Sequence, residues 1–298
     1  MKKKICAIGE CMMEFTNLNN TLYDQSIAGD TLNFSSYLNK KIFKVYYLTA
    51  IGTSDISNKV IKFLKIKKIN PNLVSKIPSH EIGLYVIKNN ALGEKSFYYW
   101  RDNSASKFFF NTLVKKDLLI KLQNFQYVYF TGITLSLFEN TSINNFIAVI
   151  DFLKKKNIQI IFDLNIRITR WSKKNLVSYF SKILPKVDIL FASGEDLESW
   201  KGVNNLKIFE NILYKYKIIH GVFRKNAKHN YSYYGNKQYI IKNKLLNKVI
   251  DSSGAGDGYN AAYLSSFVMH QNPKKALEDA SKIGIKIVMK KGAIVDVR

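Results

Sequence analysis

Short apolar runs of β type alternate along this chain with longer stretches in which apolar residues recur every three or four positions. The pairs fall at residues 5–9 and 31–40, 45–48 and 55–65, 127–131 and 141–156, 158–163 and 173–184, then 189–192 followed by a short helix from about Glu195. Compact apolar runs suit strands buried on both faces, and the longer period suits helices laid over them. The alternation predicts βαβ units and a mostly parallel central sheet in a three-layer α/β/α arrangement, with ligands gathered at the carboxyl ends of the strands. The rhythm breaks twice, around 15–27 and 83–101, where strand-like segments follow one another without a helix. The second break holds Gly83-Leu84-Tyr85-Val86-Ile87-Lys88, a polar turn, and Lys95-Ser96-Phe97-Tyr98-Tyr99-Trp100-Arg101. Insertions at about 12–28 and 83–105 are expected to form a small antiparallel sheet standing off a single domain over 1–298. Such a sheet can be a lid over a site, an oligomer contact, or both.

Composition narrows the class. With 298 residues, 47% hydrophobic and 13% aromatic, the chain can bury a large globular core. Met1-Lys2-Lys3-Lys4 before Ile5-Cys6-Ala7-Ile8 imitates a signal peptide, but Glu10 interrupts the apolar run too soon. No stretch approaches the roughly 18 apolar residues of a membrane helix, so a chain with no membrane partner is expected. Cys6 and Cys11, with His80, His220, His229 and His270, lack metal-ligand or disulfide spacing, which points to structural roles in a reducing cytoplasm. The net charge of +24 raises nucleic acid as a partner. However, 41 of the 46 basic residues are lysines spread along the whole chain, as on solvated helix faces, and no specific nucleic-acid partner is expected. Only Arg101, Arg167, Arg170, Arg224 and Arg298 are arginines. In so lysine-biased a chain an arginine marks a place where the planar fork matters.

The strongest local signal is Val249-Ile250-Asp251-Ser252-Ser253-Gly254-Ala255-Gly256-Asp257-Gly258-Tyr259-Asn260 leading into an apolar helix. Gly254 and Gly256 allow close backbone approach, and the unpaired amides of a helix start favour an anion. Asp257, in the first turn, can accept the proton of a hydroxyl attacking phosphorus; it can equally be a helix-start charge.

The D-x-x-G-A-G-D string resembles the signature of the ribokinase-like, or PfkB, carbohydrate kinases, and the likeness spans essentially the whole chain. Ala28-Gly29-Asp30-Thr31-Leu32-Asn33 resembles that family's sugar-binding segment, although Asp30 also suits an N-cap. Several stretches are similar to the 2-keto-3-deoxygluconate kinase branch: Ile8-Gly9-Glu10-Cys11-Met12-Met13-Glu14, Gly83-Leu84-Tyr85, Tyr98-Tyr99-Trp100-Arg101, Thr131-Gly132-Ile133, and Asp163-Leu164-Asn165-Ile166-Arg167 with Trp171. The resemblance implies ATP and Mg²⁺ as cofactors, with a monovalent cation left open, and a sugar acid phosphorylated on its terminal hydroxyl to the 6-phosphate. It implies Asp257 as base and Gly254, Ala255 and Gly256 as the anion hole. Gly29, Asp30, Asn33, Tyr85, Tyr99, Arg101, Ile133 and Arg167 are implied at the sugar, with the two tyrosines equally readable as strand packing. Asn165, Ser193, Arg224 and Asn226, with Gly254 and Gly256, are implied at ATP. A homo-oligomer, a dimer through the lids, is also expected.

The nucleotide side departs from the family. Arg224-Lys225-Asn226-Ala227-Lys228-His229 lacks two customary glycines, and Asn226 is expected to take a left-handed conformation in place of one. Ser193-Gly194-Glu195-Asp196 stands where an N-x-x-E segment linked to magnesium is usual, which makes Asp196 the candidate metal ligand. A kinase for a neutral sugar such as fructose or ribose, or a sugar-acid binder weakened in phosphoryl transfer, are the alternatives.

Overall fold

The computed structural model of the chain describes residues 1–18, 21–89, 95–112 and 115–297; residues 19–20 and 90–94 of the expected lid lie outside them. The main sheet runs Lys237–Lys242, His229–Tyr234, His220–Arg224, Ile189–Ser193, Gln159–Asp163, Tyr127–Thr131, Lys3–Ile8, Phe43–Ile51, Ile69–Asn70, with Val74–Lys76 also pairing to Phe43–Ile51. Every pairing is parallel except the two that build the hairpin at the first edge.

Alternation along each central strand divides the apolar residues between two cores. Cys6, Ile8, Val128, Phe130, Ile160, Phe162 and Leu190 face one side, where helices Asn140–Lys155, Lys173–Ile183 and Leu206–Tyr216 bring Phe146, Phe180 and Phe209. Ile5, Ala7, Val45, Tyr47, Tyr129, Ile161 and Phe191 face the other, under helices Asp30–Tyr37, Asp55–Ile66, Ala255–His270 and Pro273–Val288. A sheet buried on both faces by helices is the three-layer α/β/α architecture that the alternation predicts. Among the described residues no helix is long and apolar enough to cross a membrane.

The segments expected to form a lid make a second sheet in the order Tyr23–Ala28, Met12–Asn17, Gly83–Asn89, Lys95–Trp100. It is not wholly antiparallel, because Met12–Asn17 and Gly83–Asn89 pair in parallel. Their origin explains this. The two insertions follow Lys3–Ile8 and Val74–Lys76, which both pair in parallel with Phe43–Ile51 in the main sheet, so the first strand of each insertion leaves in the same direction.

Candidate active site

The candidate sugar-binding segment lies where the second sheet returns to the main sheet. A Cβ on Gly29 would overlap the Glu10 carbonyl oxygen, so the crossing of these two chain segments requires glycine. Gly29 is itself the N-cap of helix Asp30–Tyr37, which corrects the N-cap reading of Asp30. Asp30 instead spends Oδ1 on the Thr31 amide at 2.8 Å, while Oδ2 accepts from Thr131 Oγ1 at 2.6 Å and Asn165 Nδ2 at 2.9 Å. Asn165, expected at the nucleotide, is thus bound to Asp30, a residue expected at the sugar. One turn further, Asn33 Nδ2 donates to Asp257 Oδ2 at 2.8 Å, joining the amino-terminal segment to the carboxyl-terminal motif.

Gly254 caps helix Ala255–His270 in the left-handed conformation, φ 68° and ψ 0°. A Cβ there would overlap the Ala293 carbonyl oxygen, and one on Gly256 would lie 2.5 Å from Arg224 Nη1. Asp257 is half-buried by exposed area, with its carboxyl enclosed by protein atoms. Burial, and then the negative charge of Asp30, push its pKa up to about 7; the Asn33 hydrogen bond and the charges of Arg224 and Arg167 oppose them. A mere helix-start carboxylate would be stabilised in its charged form, whereas one poised near neutrality is suited to accepting a proton. Gly254→Ala is expected to strain this turn by about 1–3 kcal/mol, measurable as a 10- to 100-fold lower kcat with sugar affinity, read by calorimetry, little changed.

Beneath the turn, Asn260 Nδ2 donates to Asp163 Oδ2 at 2.8 Å, and Arg224 Nη2 stands 4.0 Å from Asp163 Oδ1. Asp163 Oδ1 and Arg224 Nη1 are buried without hydrogen-bond partners. Burial pushes the Asp163 carboxyl well above the usual range against the opposing charge of Arg224. For Arg224 burial acts downward, but Asp163, Asp196 and Asp257 outweigh it and hold the guanidinium charged. Unsatisfied buried donors and acceptors are uncommon in folded proteins, and here the donor and the acceptor lie together beneath the Gly254–Asp257 turn.

The other nucleotide-side candidates have local duties. Ser193 caps helix Gly194–Lys201, and Asp196 completes the capping box. Asp196 accepts from the Ser193 amide at 2.8 Å, Ser193 Oγ at 2.7 Å and the Ile166 amide at 2.7 Å, which fills three of about four lone-pair positions. Asn226 does not take a left-handed conformation; its Oδ1 accepts from the Lys228 and His229 amides at 3.0 and 2.8 Å, so a side-chain turn replaces the missing glycine geometry. Among the described residues no cluster of three or more His, Cys, Asp or Glu forms a ready metal cage.

From the lid, Tyr85 is buried and donates its hydroxyl to Glu14, which also accepts from Ser26 Oγ at 2.9 Å. Tyr99 remains 53% exposed with its ring 5.6 Å from that of Tyr85. Arg101 pairs with buried Glu10, and its guanidinium carbon lies 5.8 Å from the Tyr99 ring centre. Ile133 is half-buried on the short helix Gly132–Leu135, and Arg167 is exposed beyond strand Gln159–Asp163. Glu10, Glu14, Thr131, Asp163 and Asn260 join these contacts without a role that the sequence motifs imply. The available signal is Glu10, in the short connection between strands Lys3–Ile8 and Met12–Asn17, and Glu14, which follows the apolar Met12-Met13 on the second strand.

A family model described as pfkB family carbohydrate kinase matches residues 2–298. The chain is 30% identical over 303 residues to the 2-dehydro-3-deoxygluconokinase of Haemophilus influenzae, covering 99% of this chain and 96% of that protein. The crystal structure of 2-dehydro-3-deoxygluconokinase from Thermotoga maritima superposes with a TM-score of 0.82 at 20% identity, over 99% of this chain and 95% of that one. A fructokinase from Vibrio cholerae O395, with fructose, ADP and calcium bound, superposes with 0.84 at 19% identity, over 99% and 96%. The two superpositions establish the fold and do not discriminate between an acidic and a neutral sugar.

Proposed function

The chain belongs to the pfkB family of carbohydrate kinases, and we propose that its reaction is transfer of the ATP γ-phosphate to the terminal hydroxyl of 2-keto-3-deoxygluconate, giving the 6-phosphate. The observation that carries this reading is the junction of Asp257, Asn33 and Asp30: a carboxyl poised near pH 7, held by the residue one turn inside the sugar-side segment. The terminal hydroxyl lies against Asp257, which takes its proton as the oxygen attacks phosphorus. The amides of the Gly254–Asp257 turn and the unpaired Arg224 Nη1 receive the charge that grows on the transferring phosphoryl group. Asp30, with Thr131 and Asn165 orienting its carboxylate, accepts from further sugar hydroxyls.

A magnesium ion carried in with the nucleotide would be held by Asp163, whose Oδ1 lacks a hydrogen-bond partner and whose buried carboxyl the ion's charge would draw into its ionised form, with Asp196 contributing at most one remaining lone pair. It neutralises phosphate charge when bound. A sugar acid is favoured over a neutral sugar by the full-length kinship to a 2-dehydro-3-deoxygluconokinase and by the arginines around the cleft. The same reading includes a homo-oligomer through the outer lid face, where Tyr98 and Trp100 stand 49% and 59% exposed. The test is steady-state turnover with Mg-ATP across sugar acids and neutral sugars. A neutral sugar turned over readily while the sugar acid stays inert removes the proposed substrate.

A further inference from the structure

The lid junction contains a positive charge that is already balanced. The side chains of Arg101 and Glu10 are 7% and 1% exposed and pair directly, with Ser104 Oγ donating to the second Glu10 oxygen at 2.5 Å. As a unit they are neutral, so Arg101 offers hydrogen bonds beside Tyr99 but little net charge. A carboxylate drawn out of water needs both, because burying an anion without a counter-charge is costly. The carboxylates of Asp30 and Asp257 in the same cleft add to that need.

Two arginines beside the cleft have no carboxylate partner among the described residues. Arg167 is exposed, donates only to the Ile166 carbonyl at 3.4 Å, and exerts its charge on Asp257, at the reacting end. Arg170, in the turn Ile168–Arg170, is half-buried, and its Nε–H donates to Ser136 Oγ at 2.8 Å. That bond holds the guanidinium on the loop that follows Gly132–Leu135 and leaves the Nη fork without an acceptor among the described residues. Apart from burial, the groups acting on Arg170 most strongly are Arg101, Glu10, Asp102 and Asp30, which puts it toward the lid end of the cleft. A six-carbon sugar acid with its terminal hydroxyl at Asp257 directs its carboxylate toward that end.

We propose that Arg170 is a specificity-determining contact, its fork receiving the carboxylate of the acidic sugar beside a Glu10–Arg101 pair that contributes no net charge. The inference rests on the sugar-acid reading above. Its test uses the full-length enzyme and its Arg170→Gln and Arg170→Lys variants, with calorimetric binding of 2-keto-3-deoxygluconate and steady-state kinetics. Arg170→Gln is expected to weaken sugar-acid binding and raise its KM roughly 10- to 100-fold, with kcat within about threefold and the KM for ATP unchanged. Arg170→Lys, which keeps the charge without the fork, recovers part of the loss. Equal sugar-acid affinity in the native and Gln enzymes, or a fall confined to kcat, overturns the role of Arg170 while leaving the sugar-acid reading intact. A native enzyme that binds no sugar acid yet phosphorylates a neutral sugar overturns that reading, and the inference with it.

Discussion

Asp257→Asn is expected to lower kcat roughly 10²- to 10⁴-fold, the range contributed by a positioned general base, while calorimetry still detects sugar binding. The amide nearly preserves the shape of the carboxylate and its contact with Asn33, so the loss measures the proton acceptor and not the pocket. The pH dependence follows from the same group. The base works ionised, and burial with the Asp30 charge raises its pKa to about 7; kcat/KM therefore climbs as pH rises through about 7 and falls on the acid side. Asp30→Asn removes one of the raising charges while keeping a side chain that can meet Thr131. The acid limb is then expected to move to lower pH, even where the lost sugar contact reduces the overall rate. Full turnover by Asp257→Asn, or an acid limb unmoved in Asp30→Asn, would take these carboxylates out of the roles given to them.

Glu10→Ala is expected to destabilise the fold by about 3–5 kcal/mol, the cost of leaving a buried charge without its partner. Arg101 would remain enclosed at the root of the lid with its Nε already unpartnered and its counter-ion gone. Denaturant unfolding would register this as a lower midpoint at an unchanged slope. Removing both charges by Glu10→Gln with Arg101→Met should cost less than the two single changes added together, since the double variant leaves no orphaned ion. A single-variant loss below about 1 kcal/mol would mean that water reaches the pair and that its neutrality does not govern the cleft.

What the sequence made legible is local. The Gly254–Asp257 turn, its helix and the Gly29–Asn33 segment each combine glycine, carboxylate and periodicity within a dozen residues, so their shape and chemistry can be inferred together. The pairings that complete the site are remote: Arg101 with Glu10 across 91 residues, Asp163 with Asn260 across 97, Tyr85 with Glu14 across 71. No periodic pattern encodes such contacts. The edge hairpin His229–Lys242 escaped for a different reason, since its inward positions include the polar Asn230 and Ser232 and the apolar alternation that marks a strand is lost. At Asn226 the residue type was informative but the inferred conformation was not, because its side chain closes the turn by accepting backbone hydrogen bonds.

A kinase for an acidic sugar with Asp257 at the reacting hydroxyl is distinguished from its alternatives by kcat/KM for 2-keto-3-deoxygluconate against fructose, ribose and a nucleoside with saturating Mg-ATP. A site built for a carboxylate should prefer the sugar acid by at least about 100-fold and yield the 6-phosphate. Ready phosphorylation of a neutral substrate, with the sugar acid left unreacted, would contradict it.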